Sequence, residues 1–458
     1  MDRSAAQASS VAGGPLRPIR TELAELLKLS GPVVISRLGI MAMGLSDAIV
    51  VGRYSATELG YHALGWAPSS VIVTMAIGLL TGVQVMTARA IGEGRLHDTG
   101  AVLRRGLGYS LWIGIVSAGV LALIGPLFLH AIGLEKSLAD GASRVLLVFC
   151  LSLPAYALSV SASFWMEGLS RPGPGAWAMW IANAINLAVD LILVPGHFGL
   201  TPQGAMGGAW ATTGARIFLA VFMLGYIALM PDARALGVFD KPERNRAAEA
   251  EQRRIGFGAG VSNFAEVAAF ASLNIICGWM GGLAVAAWTI VLNVAAIIFM
   301  VPLGLSTGAA VRVGRAYGAR DARGVVRAAL VAFGVTSVFG ALVGLVIWPN
   351  AALISSGYTE NPATLAMAVP ALIVTCLMYW PDSLQVVTAQ ALRARGDVWL
   401  PSGAHLTSYI VLMMPLAWWL GIPMHMGIIG VAWAVVIASF ISAGFLLTRF
   451  WMLSRGPL

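Results

Sequence analysis

A short set of ionisable side chains interrupts long apolar stretches of this sequence: Arg37, Asp47, Asp190, Arg216, Glu266 and Asp382, with Glu167 near the end of another stretch. A charge at the centre of a bilayer costs about 2.5 kcal/mol or more, so an acid or base held there points first to an ion or substrate path. Asp47 stands in GLSDAIVVG, and Asn183, Asn186 and Asp190 recur at i, i+3 and i+7, one face of a helix. Carboxylates with amide oxygens are hard ligands, suited to Na⁺ or to a transferable proton. The competing reading is that Asp190 and the asparagines only bond neighbouring helices.

The second half offers a matching set. Ser262, Asn263 and Glu266 share a helical face, and Asp382 follows Pro381 in MYWPDSLQVV. Pro381 withholds a backbone donor and crowds the carbonyl of Leu377, so a kink is expected beside the acid, as suits a binding site or a hinge. Glu266 is a candidate proton carrier with Asp382, unless Arg37, at similar depth, neutralises it. Asn263, Phe264, Tyr379 and Trp380 lie close to these acids in sequence, and their aromatic faces could hold a lipophilic cation beside a carboxylate. Fifteen tryptophans in an apolar chain also suit interface belts.

The elements that must carry these residues are membrane spans. The chain is 58% hydrophobic and only 11% charged over 458 residues, with a mean hydropathy of +0.81. Soluble domains are about 45–50% apolar, and a span needs about 20 apolar residues. Apolar runs place twelve helices near residues 24–51, 58–90, 102–125, 141–168, 175–198, 205–230, 252–280, 284–314, 326–348, 363–392, 400–421 and 427–452. The expected organisation is a cytoplasmic tail over 1–23, an N-lobe over 24–231, a cytoplasmic linker over 232–251 and a C-lobe over 252–458. Residues 1–20 lack the apolar core of a signal peptide.

The net charge of +8 is explained by topology. Basic residues from Arg3 and Arg17 through Arg104, Arg105, Arg244, Arg253 and Arg254 to Arg393 and Arg455 fall on one side, while the opposite loops offer only Arg53 and Lys136. The positive-inside rule then puts both termini in the cytoplasm of a cell (inner) membrane and makes nucleic acid an unexpected partner. Membrane lipids and small organic substrates are the expected partners, with the monomer as the functional unit.

The two halves repeat each other. Gly78, Leu79, Thr81, Gly82, Arg89, Ala90 and Gly92 match Gly304, Leu305, Thr307, Gly308, Arg315, Ala316 and Gly318, and Leu169, Gly173, Gly204, Gly207, Ala209, Trp210 and Ala211 match Leu392, Gly396, Gly427, Gly430, Ala432, Trp433 and Ala434. Six spans return a chain to its starting side, so the repeat is parallel, with its pseudo-two-fold axis along the membrane normal. The fold expected is an all-α integral membrane protein of twelve helices in two pseudo-symmetric six-helix lobes, working by alternating access.

Chemistry of other kinds finds little footing. Cys150, Cys277 and Cys376 lie far apart in apolar segments and read as packing residues. His62, His97, His130, His197, His405 and His425 have no metal-ligand spacing, and Gly256, Gly258 and Gly260 make only GxGxG without a preceding strand. An enzyme is not expected, nor a metal or cofactor beyond Na⁺ or H⁺ as coupling ion. A channel remains an alternative that net-leak measurements would separate.

These segments resemble the multidrug and toxic compound extrusion family, and the likeness runs from about residue 24 to 452. LSDAIVVGRYSATELG is similar to that family's aspartate segment, and VPLGLSTGAAVRVGRAYGA to its Pro-Gly-Arg-Gly segment. SNFAEVAAF with MYWPDSLQVVTAQALRARGD looks like the paired Glu and Asp of the NorM branch, which would make Glu266 and Asp382 coupling acids. NLAVDLILVPGHFGLTPQGAMGGAWAT resembles the fifth-to-sixth segment, so the N-lobe cation site would fall on Asp47, Asn186, Asp190 and Thr212. Arg37 and the Trp380–Pro381 pair depart from the family pattern. The resemblance implies efflux of cationic drugs or metabolites driven by inward Na⁺ or H⁺. A flippase of lipid-linked saccharides with a related fold would be expected to show a basic cavity rather than these acids.

Overall fold

The computed structural model describes residues 19–241 and 245–456. Arg3, Arg17, Arg244 and most of the expected tail lie outside the described residues.

Sequences dominated by Ala, Leu, Val, Ile and Met, with most of their charge at the ends, can satisfy backbone polarity in lipid only by coiling into helices. The helices are α1 (Ile19–Tyr54), α2 (Ala56–Gly92), α3 (Thr99–Ala131), α4 (Lys136–Gly168), α5 (Gly173–Leu193) and α6 (Ala205–Leu229). They continue with α7 (Arg246–Met280), α8 (Gly282–Gly318), α9 (Ala322–Ser356), α10 (Pro362–Thr375) and α11 (Tyr379–Ala394). The last are α12 (Trp399–Leu406), α13 (Met414–Gly421) and α14 (Gly427–Ser454). Local chemistry sets several starts. Asp321 caps α9 by accepting from the Gly324 amide at 2.8 Å, and Asn361 caps α10 just before Pro362.

Among the described residues ten helices are long and apolar enough to cross a bilayer, and α10 with α11 supplies an eleventh span bent by 51°. The bend falls at residues 376–378, beside Pro381 and Asp382, where the proline was expected to place it. The run expected as 400–421 is helical from Trp399 to Gly421, with a π-helical turn at Thr407–Met413 joining α12 to α13. A π-turn widens the helix and re-aims its side chains, and such turns are frequent at functional sites.

The chain forms two compact units. One comprises Ile35–Ile91 and Arg95–Gly260, the other the described residues up to Val34, Gly92–Gly94 and those from Val261. In the first, α4 packs along α3 and α6, around a core that includes the fully buried Trp165, Phe149 and Leu146. The Trp165 indole donates to the Thr99 carbonyl at 2.8 Å. In the second, α11 packs along α8, α9 and α14, with Trp288, Tyr409 and Phe450 buried.

Helices α1 and α7 are thus each divided: the N-terminal part of α1 belongs with the C-terminal helices, and that of α7 with the N-terminal ones. The repeated glycines explain this division. A Cβ at Gly78 would lie 2.6 Å from the Gly260 Cα, and one at Gly82 would overlap the Gln252 carbonyl. In the other unit a Cβ at Gly304 would lie 2.9 Å from the Val34 amide nitrogen, and one at Gly308 would overlap the Ser30 hydroxyl. The same two-glycine socket on α2 and α8 therefore receives the start of α7 and of α1 at backbone contact, the small-residue packing that lipid-embedded helices favour.

Candidate ion-coupling sites

In the unit built on α2 to α6, the C-terminal part of α1 brings Asp47 against α5 and α6. The Thr212 hydroxyl donates to Asp47 Oδ2 at 2.6 Å, while Oδ1 is buried with no donor among the described residues. Asp190 is fully buried, adjoins Asp47, and neither of its oxygens has a donor among the described residues. Asn186, also fully buried, accepts from Ser46 at 3.4 Å. Asn183 is spent on structure, donating to the carbonyls of Gly39 at 3.0 Å and Met179 at 2.8 Å. The periodicity argument therefore holds for the face. It is Asn186 and Asp190 that join Asp47 and Thr212, and three of their carboxylate oxygens are left for an ion or a proton.

One partner at this site, His62, escaped the sequence reading, while Arg216, singled out there as a charge in an apolar run, gains its surroundings here. His62 of α2 places Nε2 3.9 Å from Asp47 Oδ2, a pairing that no sequence spacing announces. Arg216 lies one turn beyond Thr212 on α6. It donates to the Ser152 hydroxyl at 2.7 Å and sits over the rings of Tyr156 at 4.8 Å and Trp66 at 5.1 Å. A desolvated guanidinium between two aromatic faces is a fixed positive charge whose ring contacts offset part of the cost of its burial.

In the other unit, Asp382 follows the bend in the first turn of α11 and is 8% exposed. Gln385 donates from Nε2 to Asp382 Oδ1 at 2.8 Å and to Tyr409 Oη at 2.7 Å. Tyr409 sits in the π-turn, packed against His405 and Phe270. Glu266, half-buried on α7, lies within electrostatic reach of both Asp382 and Arg393. Arg393 is 3% exposed and donates to Ser262, one turn before Glu266, at 2.6 Å.

One expectation needs correction here, and one alternative is narrowed. Arg37, weighed as a neutraliser of Glu266, is engaged within its own unit. It pairs with Glu167 at 3.6 Å, and Gln84 donates to the other oxygen of that carboxylate at 2.6 Å. Arg393, grouped by sequence with the loop arginines, is instead the buried counter-charge near Glu266. It stands at the end of α11, where a charge reads as a flanking residue until the packing of α7 is known. The residues marked for substrate also separate. Tyr379 is buried at 2% exposure, whereas Phe264 is 47% exposed and Trp380 38%, tilted against Phe440 at 5.9 Å. Among the described residues no cluster of metal-ligating side chains occurs, and the three cysteines are buried and unbridged.

The sequence matches the pattern of the MatE family over residues 32–192 and again over 259–419. This chain belongs to the MatE family. The two matches cover equivalent stretches of the two repeats, so each half carries one MatE segment. The probable multidrug resistance protein NorM of Caulobacter vibrioides is 59% identical over 99% of this chain and 96% of its own length. The multidrug resistance protein PmpM of Pseudomonas aeruginosa is 32% identical over 88% of this chain and 85% of its own. A solved MATE structure in the bent conformation has the same fold at a TM-score of 0.86 and 19% identity, covering 96% of this chain and 100% of that one. Membership of the MatE family and the all-helical, two-part fold expected from the repeat are thereby borne out.

Proposed function

We propose that the protein is a secondary active exporter of lipophilic, often cationic, small organic compounds, exchanged for inward Na⁺ or H⁺ by alternating access in the bacterial inner membrane. The observation that carries this reading is the Asp47–Asp190 cluster. Two adjoining carboxyls, buried among apolar helices, hold three oxygens without donors among the described residues. Such a site is costly to keep unless a cation or proton occupies it for part of the cycle. The parallel repeat supports alternating access, and the names of its relatives support multidrug compounds as the cargo. Glu266 and Asp382 form a second acidic site, with Arg393 setting the local field. The basic loops support a cytoplasmic side for both termini.

Export of a fluorescent lipophilic cation from proteoliposomes, under Na⁺ and H⁺ gradients imposed separately, tests the reading. Movement driven by one gradient identifies the coupling ion. The absence of movement under both would remove coupled export of such compounds.

A further inference from the structure

On the Arg-rich side of the molecule, the start of α3 and the start of α7 border a cavity of about 500 Å³. Both belong to the same compact unit. Among the described residues three guanidiniums line it, Arg104 and Arg105 from α3 and Arg253 from α7, against the single carboxylate of Glu249. Two of the three are held by neutral partners. Arg104 donates to the carbonyls of Gly237 and Val238, and Arg105 to Gln252 at 3.4 Å. Arg253 pairs with Glu249 at 2.8 Å while its side chain remains 54% exposed. The cavity is therefore positively charged, and its arginines are oriented before anything binds.

Deeper along α3, Tyr109 and Trp112 line the same cavity, their rings stacked at 6.4 Å and 11°. Trp112 is 62% exposed, and the next turn presents Ile115 and Val116, both exposed, on a helix apolar enough to span the bilayer. The order along one helix face is guanidinium, stacked aromatic, aliphatic. That is the order of phosphate, glycerol ester and acyl chain in a phospholipid. A soluble anion would use only the first of these layers.

From this charge complementarity and layering, we propose that the cavity between α3 and α7 is a binding site for the headgroup of an anionic phospholipid. Arg105 and Arg253 bind the phosphodiester in the forked geometry guanidinium favours. Tyr109 and Trp112 pack on the glycerol region, where amphipathic rings settle in membranes. Gln252 is a positioning residue that presents Arg105. Basic pockets at the ends of membrane helices are suited to such headgroups, and each basic group near an anionic lipid surface contributes about a fivefold gain in affinity.

The test is lipid titration of the purified full-length protein followed by native mass spectrometry, comparing phosphatidylglycerol with phosphatidylcholine. Wild type should retain phosphatidylglycerol selectively. Arg105→Gln with Arg253→Gln should weaken that retention about 30-fold, the corresponding double lysine variant should recover most of it, and Arg323→Gln, an exposed change elsewhere, should leave it unmoved. Glu249→Gln removes the one carboxylate and should tighten binding about fivefold, a gain that misfolding cannot mimic. Phosphatidylglycerol retention by the double glutamine variant within twofold of wild type, or an unchanged affinity in Glu249→Gln, would overturn the assignment. Displacement of phosphatidylglycerol by millimolar inorganic phosphate would assign the site to soluble phosphate and overturn the lipid reading.

Discussion

Arg37 and Glu167 face each other at 3.6 Å across α1 and α4, the arginine 10% and the glutamate 7% exposed at the side chain. Gln84 completes the carboxylate, and the guanidinium lies 5.5 Å from the centre of the Phe164 ring. Removing one partner of a buried pair strands the other charge, at about 3–5 kcal/mol, whereas replacing both with apolar side chains is often neutral. Arg37→Met should therefore lower the thermal unfolding temperature in detergent markedly, and Arg37→Met with Glu167→Met should regain most of the loss. A single variant as stable as wild type would show that the pair is not closed in solution.

At the Asp47 site the test concerns one hydroxyl. Thr212→Val is close in shape but removes the donor to Asp47 Oδ2. A hydrogen bond to a charged group contributes about 1.5–3 kcal/mol, so the half-saturating concentration of the coupling ion should shift about tenfold or more, upward for Na⁺ that loses the hydroxyl oxygen and downward for a proton that no longer competes with the donated bond. Thr212→Ser should stay near wild type. Equal ion dependence in all three proteins, read from export against Na⁺ concentration and pH, would leave Thr212 without a part in coupling.

How far the sequence carried can be seen at these same residues. Spans, repeat and the α10–α11 bend were legible because each rests on local chemistry: apolar length, recurring glycines, a proline's missing donor. Asp47 and Asp190 stood out because a charge in an apolar run is rare. Partners were harder to read, since His62, Arg393 and the Arg37–Glu167 pair are set by which helix faces meet. Nor did any pattern mark the π-turn at Thr407–Met413, because a widened helix of apolar residues has the composition of an ordinary one.

The glycine sockets yield a prediction about packing. In Gly82→Ala the added methyl would overlap the Gln252 carbonyl, and in Gly256→Ala that of Leu79, so backbones of α2 and α7 must separate. Overpacking of this kind costs about 1–3 kcal/mol. Gly119→Ala on α3 meets nothing within 4 Å and should be neutral or stabilising by about 0.5–1 kcal/mol. Unfolding temperatures measured together should rank Gly119→Ala at or above wild type and both socket variants below it. A socket variant as stable as wild type would mean that the two helices have room to spare.

Asp382, Gln385 and Tyr409 supply the last test, because they separate charge from scaffolding. Asp382→Asn keeps the side-chain size and an oxygen for Gln385 but removes the ionisable group. It should abolish coupled export while leaving expression and unfolding temperature close to wild type. Tyr409→Phe keeps the charge and deletes only the far end of the chain of hydrogen bonds, leaving Gln385 its contact with Asp382. The net worth of such a bond is about 0.5–1.5 kcal/mol, so export should fall by a few-fold to about tenfold. If the π-turn serves to deliver Tyr409, that variant should also be less responsive to the driving gradient. Normal export by well-folded Asp382→Asn would remove the acid from the coupling mechanism, whatever Tyr409→Phe then did.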